Sequence, residues 1–154
     1  MISLALENRV AVVTGGSRGI GRAAVDCFAK LGANVVVNYL KDKKAADAAV
    51  GFAEEQGVRG LAVKADMSYK GDAQRLIDAT VQQFGRVDFL VCNAGIWEGG
   101  PIHQMSEEVW DRTIDLNLKG TWAACRAAVP PMKQNGFGRI VIVSSTAGQR
   151  GEAS

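Results

Sequence analysis

The sequence predicts an α/β fold, a doubly wound parallel sheet of strand order 3-2-1-4-5, and two observations carry that reading. Apolar runs rich in β-branched residues recur at residues 10–13, 34–37, 61–63, 88–92 and 140–143. A stretch of helical period follows each of the first four. Most of these runs are apolar on successive positions, so both faces are buried, which calls for helices on either side of a parallel sheet.

The first helix carries Ile20, Ala23, Ala24, Cys27, Phe28 and Leu31 at the three-and-four spacing of one face, with Gly32 as its C-terminal stop. An alanine-rich second helix spans residues 43–56, before Gly57. The third buries Leu76, Ile77, Val81 and Phe84 and ends at Gly85. A longer fourth helix starts at Ser106, an N-cap followed by Glu107 and Glu108, which suit the positive end of the helix dipole. Its stripe is Trp110, Ile114, Leu118, Trp122, Cys125 and Val129, and Pro130 with Pro131 is expected to kink or stop it.

Residues 1–154 fit a single domain, and 47% hydrophobic content excludes a disordered polymer. A net charge of +2, from 18 basic and 16 acidic side chains, gives no field for nucleic acid or a membrane surface. The N-terminus lacks the pattern of a signal peptide, so a cytoplasmic location is the expectation. Cys27, Cys92 and Cys125 fall inside elements, without metal-ligand spacing, and are expected to be reduced and buried. His103 is the single histidine, which disfavours a metal centre or a hydrolytic triad.

Directly after the first strand comes Thr14-Gly15-Gly16-Ser17-Arg18-Gly19-Ile20-Gly21. Gly15 permits a tight turn, Gly19 lets backbone approach a pyrophosphate, and Gly21 lets helix and strand pack closely. Backbone N–H groups around Ser17, Arg18 and Ile20 then face an anion at the helix start. A merely structural turn is the plainer reading, but its place between strand and helix points to dinucleotide binding.

The TGxxxGxG spacing resembles that of the short-chain dehydrogenase/reductase family, and other segments agree in order and position. Asn93-Ala94-Gly95, after the fourth strand, resembles that family's NAG motif, which borders the cofactor. Asp66-Met67, after the third, resembles its adenine-contacting pair. Asn117 matches its active-site asparagine and Ser145 its catalytic serine. The resemblance covers the whole chain and is closest to the 3-oxoacyl-acyl-carrier-protein reductase branch, whose motifs sugar and small-ketone reductases share.

Users of NAD commonly end the second strand with an acid for the ribose 2′-OH, and here that place holds Asn38 and Tyr39. With Arg18 in the turn and Lys41 nearby, positive charge favours a 2′-phosphate, which predicts NADP(H); Asp42 opposes it.

The resemblance implies hydride transfer between nicotinamide and a carbonyl or alcohol carbon. Ser145 would bond the substrate oxygen and Asn117 would hold a water of the proton relay. The family's Tyr-x-x-x-Lys acid/base lies on the helix after the fifth strand, and Tyr39 and Tyr69 stand in the wrong part of the fold to replace it. The fifth strand also wants a neighbour and helical cover, so residues 1–154 are expected to be the N-terminal part of a longer enzyme. A non-catalytic dinucleotide-binding or regulatory protein is the alternative. Trp97 is expected to pack at a cleft edge, and Glu98 and His103 to be solvated. The expected partners are a small-molecule or carrier-bound carbonyl substrate and further copies of the chain, as a homo-tetramer or homo-dimer, with Trp110 and Trp122 placed in core or interface.

Overall fold

The computed structural model describes residues 5–151. Five strands form one parallel sheet of order β3-β2-β1-β4-β5, as expected. They are β1 (Val10–Val13), β2 (Asn34–Tyr39), β3 (Gly60–Lys64), β4 (Phe89–Cys92) and β5 (Arg139–Ile142). Helices α1 (Gly19–Lys30) and α2 (Lys43–Glu55) cover one face, and α3 (Lys70–Phe84) and α5 (Thr121–Gln134) cover the other. The strands divide their side chains with period two. Val10, Val12 and Val36 enter the core under α3 and α5, while Val13, Val35 and Val37 enter the core under α1 and α2.

The longer fourth helix is three pieces in line. Ser106 caps it as expected, its Oγ accepting from Val109 N at 3.4 Å. α4 (Glu107–Thr113) then passes into a π-helical segment, Ile114–Gly120, and on into α5. The wider turn breaks the phase on which the apolar stripe was drawn. Trp110, Leu118, Trp122 and Val129 are exposed, and Ala123, Ala124, Ala127, Ala128 and Met132 are buried instead. Pro130 and Pro131 neither stop nor end α5, which runs on to Gln134. Both stand near its end, where the missing N–H groups affect only the last turns and buried Ala127, Ala128 and Met132 hold the helix down.

The first helix needs a similar correction, since Gly21, Val25 and Ala29 form its buried line. Cys27 lies off that line and is exposed, as is Leu31, while Ile20 is 70% exposed at the helix start. Small residues bring α1 close to the sheet, where the sequence reading had weighted large ones. Cys92 is buried, and burial together with neighbouring Cys125, its sulfur 3.9 Å away, pushes its thiol up to about 12. All three cysteines are free. Short additions are a 3-10 turn at Ile102–Gln104 and α6 (Ala147–Arg150). As expected of an uncovered strand, Ile140 to Val143 are 37–56% exposed.

At the amino edge of the sheet Asp88 is fully buried and takes Arg9 Nη1 at 2.8 Å, Arg86 Nε and Nη2 at 2.7 Å each, and Val10 N at 2.9 Å. Burial alone would raise its pKa, but the donors from Arg86, Arg9 and Val10 outweigh it and hold the carboxyl below the usual carboxylate range. A depressed folded-state pKa stabilises above the unfolded value, and that contribution fades as pH falls through the folded one. Asp88→Ala, which leaves two guanidinium groups and an N–H without their acceptor, is expected to cost about 3–5 kcal/mol in denaturant unfolding. Asp88→Asn should remove part of the wild-type loss of Tm below about pH 4.

Candidate functional site

The order of the strands places a switch point between β1 and β4, and the turns leaving these two strands meet at the carboxyl edge. Thr14 begins the first turn with its hydroxyl buried. Its Oγ1 accepts from Asn93 N at 2.9 Å and Ala94 N at 3.0 Å. In return Asn93 Nδ2 donates to Thr14 O at 3.0 Å and Gly15 O at 3.2 Å. Gly15 turns at φ +61° and Gly19 at φ +55°, values that glycine adopts without strain. A Cβ on Gly21 would fall 2.3 Å from Gly15 O and 2.5 Å from Asn93 Nδ2, whereas one on Gly19 would meet nothing within 4 Å. Gly21 therefore serves packing, and Gly19 leaves the approach to the start of α1 open.

Around this junction opens a cleft of about 510 Å³. The turn lines one wall with Gly15, Ser17, Arg18, Gly19 and Ile20, and the end of β2 lines another with Asn38, Tyr39, Leu40, Lys41 and Asp42. Asp66 and Met67 follow β3 into it, and Asn93, Ala94 and Gly95 follow β4. Every cofactor-binding residue expected from the sequence except Gly21 thus lines one cleft, with Gly21 buried beneath.

Two of these residues are engaged differently from the sequence reading. Asn38 is 2% exposed, with its amide turned into the protein: Oδ1 accepts from Gly15 N at 3.0 Å and Nδ2 donates to Ala65 O at 2.9 Å. Tyr39 is buried as well, so the exposed charges at the end of β2 are those of Lys41 and Asp42, opposite exposed Arg18. Asp42 also caps α2, its Oδ1 accepting from Ala45 N at 2.9 Å. Asp66 commits Oδ1 to Ser68, at 3.0 Å from N and 2.7 Å from Oγ.

Asn117 sits in the π-helical segment. Both ends of its carboxamide go to one residue, Oδ1 accepting from Ile96 N at 2.9 Å and Nδ2 donating to Ile96 O at 2.8 Å. It clamps the segment after β4 to the helix. Ser145 follows β5 at the same carboxyl edge but lines a separate hollow with Ser144, Thr146, Gly148 and Gln149. Its Oγ accepts from Ala147 N at 3.1 Å. In the loop after Ile96, Trp97 lies over Gly99 and is 73% exposed, so it does not line the cleft. Glu98 and His103 are both exposed, as expected, Glu98 pairing at the surface with Arg112 of α4 and His103 holding its Nε2 beside Gln104 Nε2 at 3.2 Å.

Two contributors escaped the sequence reading. Thr14 joins the two turns through its hydroxyl, and Gly120 lets Met67 approach, since a Cβ there would lie 2.3 Å from Met67 O. A glycine inside a helix costs about 1 kcal/mol against alanine, and that penalty was the available signal for Gly120. Among the described residues no helix is long and apolar enough to cross a membrane, and no group of three or more His, Cys, Asp or Glu could hold a metal ion.

Gly21→Ala is expected to force the two turns apart and to lower Tm by more than any other single glycine change in the turn. Gly19→Ala should cost only the left-handed backbone penalty of about 1–2 kcal/mol, so thermal melts of the two variants separate the roles.

The sequence profile of the short chain dehydrogenase family matches residues 9–154. An uncharacterised oxidoreductase of Methylorubrum extorquens is 44% identical over 140 residues, 91% of this chain and 56% of the relative. A 3-oxoacyl-[acyl-carrier-protein] reductase of Synechocystis is 40% identical over 96% of this chain and 60% of the relative. Among solved structures, a putative short-chain alcohol dehydrogenase from Sinorhizobium meliloti superposes with a TM-score of 0.92 at 30% identity, covering 98% of this chain and 60% of that one. The chain spans somewhat under two thirds of the length of these relatives. With the family profile running from β1 past β5, this chain belongs to the short-chain dehydrogenase family of oxidoreductases.

Proposed function

We propose that the protein acts as an NADP-dependent reductase, moving a hydride between nicotinamide and a carbonyl or alcohol carbon, with a 3-oxoacyl or related ketone as substrate. The observation that carries the cofactor reading is the glycine turn packed against Asn93 and Ala94, with the start of α1 open to the cleft beside Gly19. These residues fit a dinucleotide: the first N–H groups of α1 would hold the pyrophosphate, and Asp66 and Met67 would border the adenine. Relatives named as 3-oxoacyl-[acyl-carrier-protein] reductases support the substrate class.

Bound there, a nicotinamide would supply or accept the hydride. The chain's own residues supply orientation and charge. Arg18 and Lys41 would pair with a 2′-phosphate, against the single opposing carboxylate of Asp42. Asn117 holds the Gly95–Ile96 backbone, the part of the segment after β4 that lines the cleft. Ser145 would donate to the substrate oxygen as negative charge develops on it. A cytoplasmic location and association of copies through exposed Trp110, Leu118 and Trp122 complete the proposal.

The second reading, a dinucleotide-binding protein without turnover, is favoured by the place of Ser145 in a hollow apart from the cleft. It predicts NADPH binding with no reduction of any carbonyl.

NADPH is expected to bind at least about tenfold more tightly than NADH, and Arg18→Ala with Lys41→Ala to remove most of that preference, as read by fluorescence titration. Equal affinity for the two cofactors would refute the NADP assignment. Ser145→Ala should lower NADPH-dependent ketone reduction by about a hundredfold while leaving NADPH affinity within about twofold. Unchanged turnover would remove Ser145 from the chemistry.

A further inference from the structure

We propose that Asn38 is a positioning residue that fixes the spacing between the phosphate-binding and adenine-binding halves of the cleft; the proposal rests on the cofactor reading above. Asn38 stands near the end of β2, between the turn after β1 and the segment after β3. Its side chain reaches both. Oδ1 accepts from Gly15 N at 3.0 Å, and Nδ2 donates to Ala65 O at 2.9 Å, with longer approaches to Val63 O and Tyr39 O at 3.4 Å each. Its own backbone carbonyl accepts from Gly16 N at 2.9 Å. One buried amide therefore ties the start of the glycine turn to the residue preceding Asp66 and Met67.

The chemistry is selective for this side chain. The bridge needs an acceptor facing Gly15 and a donor facing Ala65 at once, which a primary amide provides. An aliphatic residue would leave a buried N–H and a carbonyl unsatisfied. An ionised aspartate keeps the acceptor but sets a second oxygen against the carbonyls of Ala65 and Val63. A protonated aspartate restores one acceptor and one O–H donor in the same shape. Burial raises the pKa of a carboxyl, so that restoration falls within reach of mildly acidic buffer.

The experiment compares wild type and Asn38→Asp with two ligands: NADP+, which spans both halves, and adenosine 2′-monophosphate, which occupies the adenine half alone. Calorimetric titrations at about pH 8 should show NADP+ weakened at least about tenfold more than adenosine 2′-monophosphate in the variant, since repulsion between the new carboxylate and the 2′-phosphate acts on both ligands alike. At about pH 5.5 the variant-to-wild-type ratio for NADP+ should close toward one. Arg18, Tyr39, Lys41, Asp42, Lys64, Asp66 and Asp72, the ionisable groups on the surrounding segments, are present in both proteins and cancel in that ratio. Unchanged NADP+ affinity, parallel loss of both ligands, or a ratio indifferent to pH would overturn the proposal. Failure of wild type to bind NADP+ would instead overturn the cofactor reading, and the proposal with it. If Asn38→Asp does not melt cooperatively, Asn38→Ser, too short to span both partners, must separate the two ligands at pH 8; parallel loss there overturns the proposal.

Discussion

The close approach of the turns leaving β1 and β4 is the constraint on which the rest of the site depends. Thr14 and Asn93 exchange hydrogen bonds across it, and Gly21 lies so near Gly15 O and Asn93 Nδ2 that no side chain fits between. Because both turns leave central strands, the sheet delivers them to the same edge without any loop having to be ordered for the purpose. The open start of α1, the left-handed glycines and the β4 segment acquire their relative places from this one contact. Asn38 extends it outward to β3, and Asn117 extends it to the helix on the other side.

A second anchor works at the opposite edge. Asp88 gathers Arg9, Arg86 and the Val10 N–H at the foot of β1 and β4, so the two central strands are fixed at both ends. Ionic anchoring there and neutral amide anchoring at the cleft suit their surroundings. The cleft edge keeps its charges, Arg18, Lys41 and Asp42, on exposed side chains where a ligand can meet them.

The sheet and the cleft were legible in the sequence because their signals are local. Runs of apolar residues on successive positions mark doubly covered strands, and Gly15, Gly19 and Gly21 mark a turn that other residues would strain or block. Helix faces were less legible. The stripe through Trp110 and Trp122 assumed unbroken helical phase, which the π-helical segment interrupts, and it favoured large side chains where alanines make the contact with α3. Asn38 illustrates a different limit. Its position near the end of β2 suggested contact with ligand, but the direction of its amide depends on Gly15 and Ala65, which are distant in sequence and adjacent only after the sheet forms. Ser145 stands out in the sequence only through its motif, and its separation from the cleft follows from the placement of the segment after β5, which the motif does not encode.

The junction between β1 and β4 also bears on how the protein is assembled. It joins backbone about 80 residues apart in the chain, as Ala94 N to Thr14 Oγ1 shows with a separation of 80. Contacts of such long range carry a large loop-closure entropy, which the completed sheet has to offset. A nucleotide seated across the cleft would bind only the completed arrangement and, at a hundred times its dissociation constant, would add about 2.7 kcal/mol to the stability of the whole sheet. The cellular supply of nucleotide would then set the lifetime of the folded protein against proteolysis, making the site a gauge of abundance.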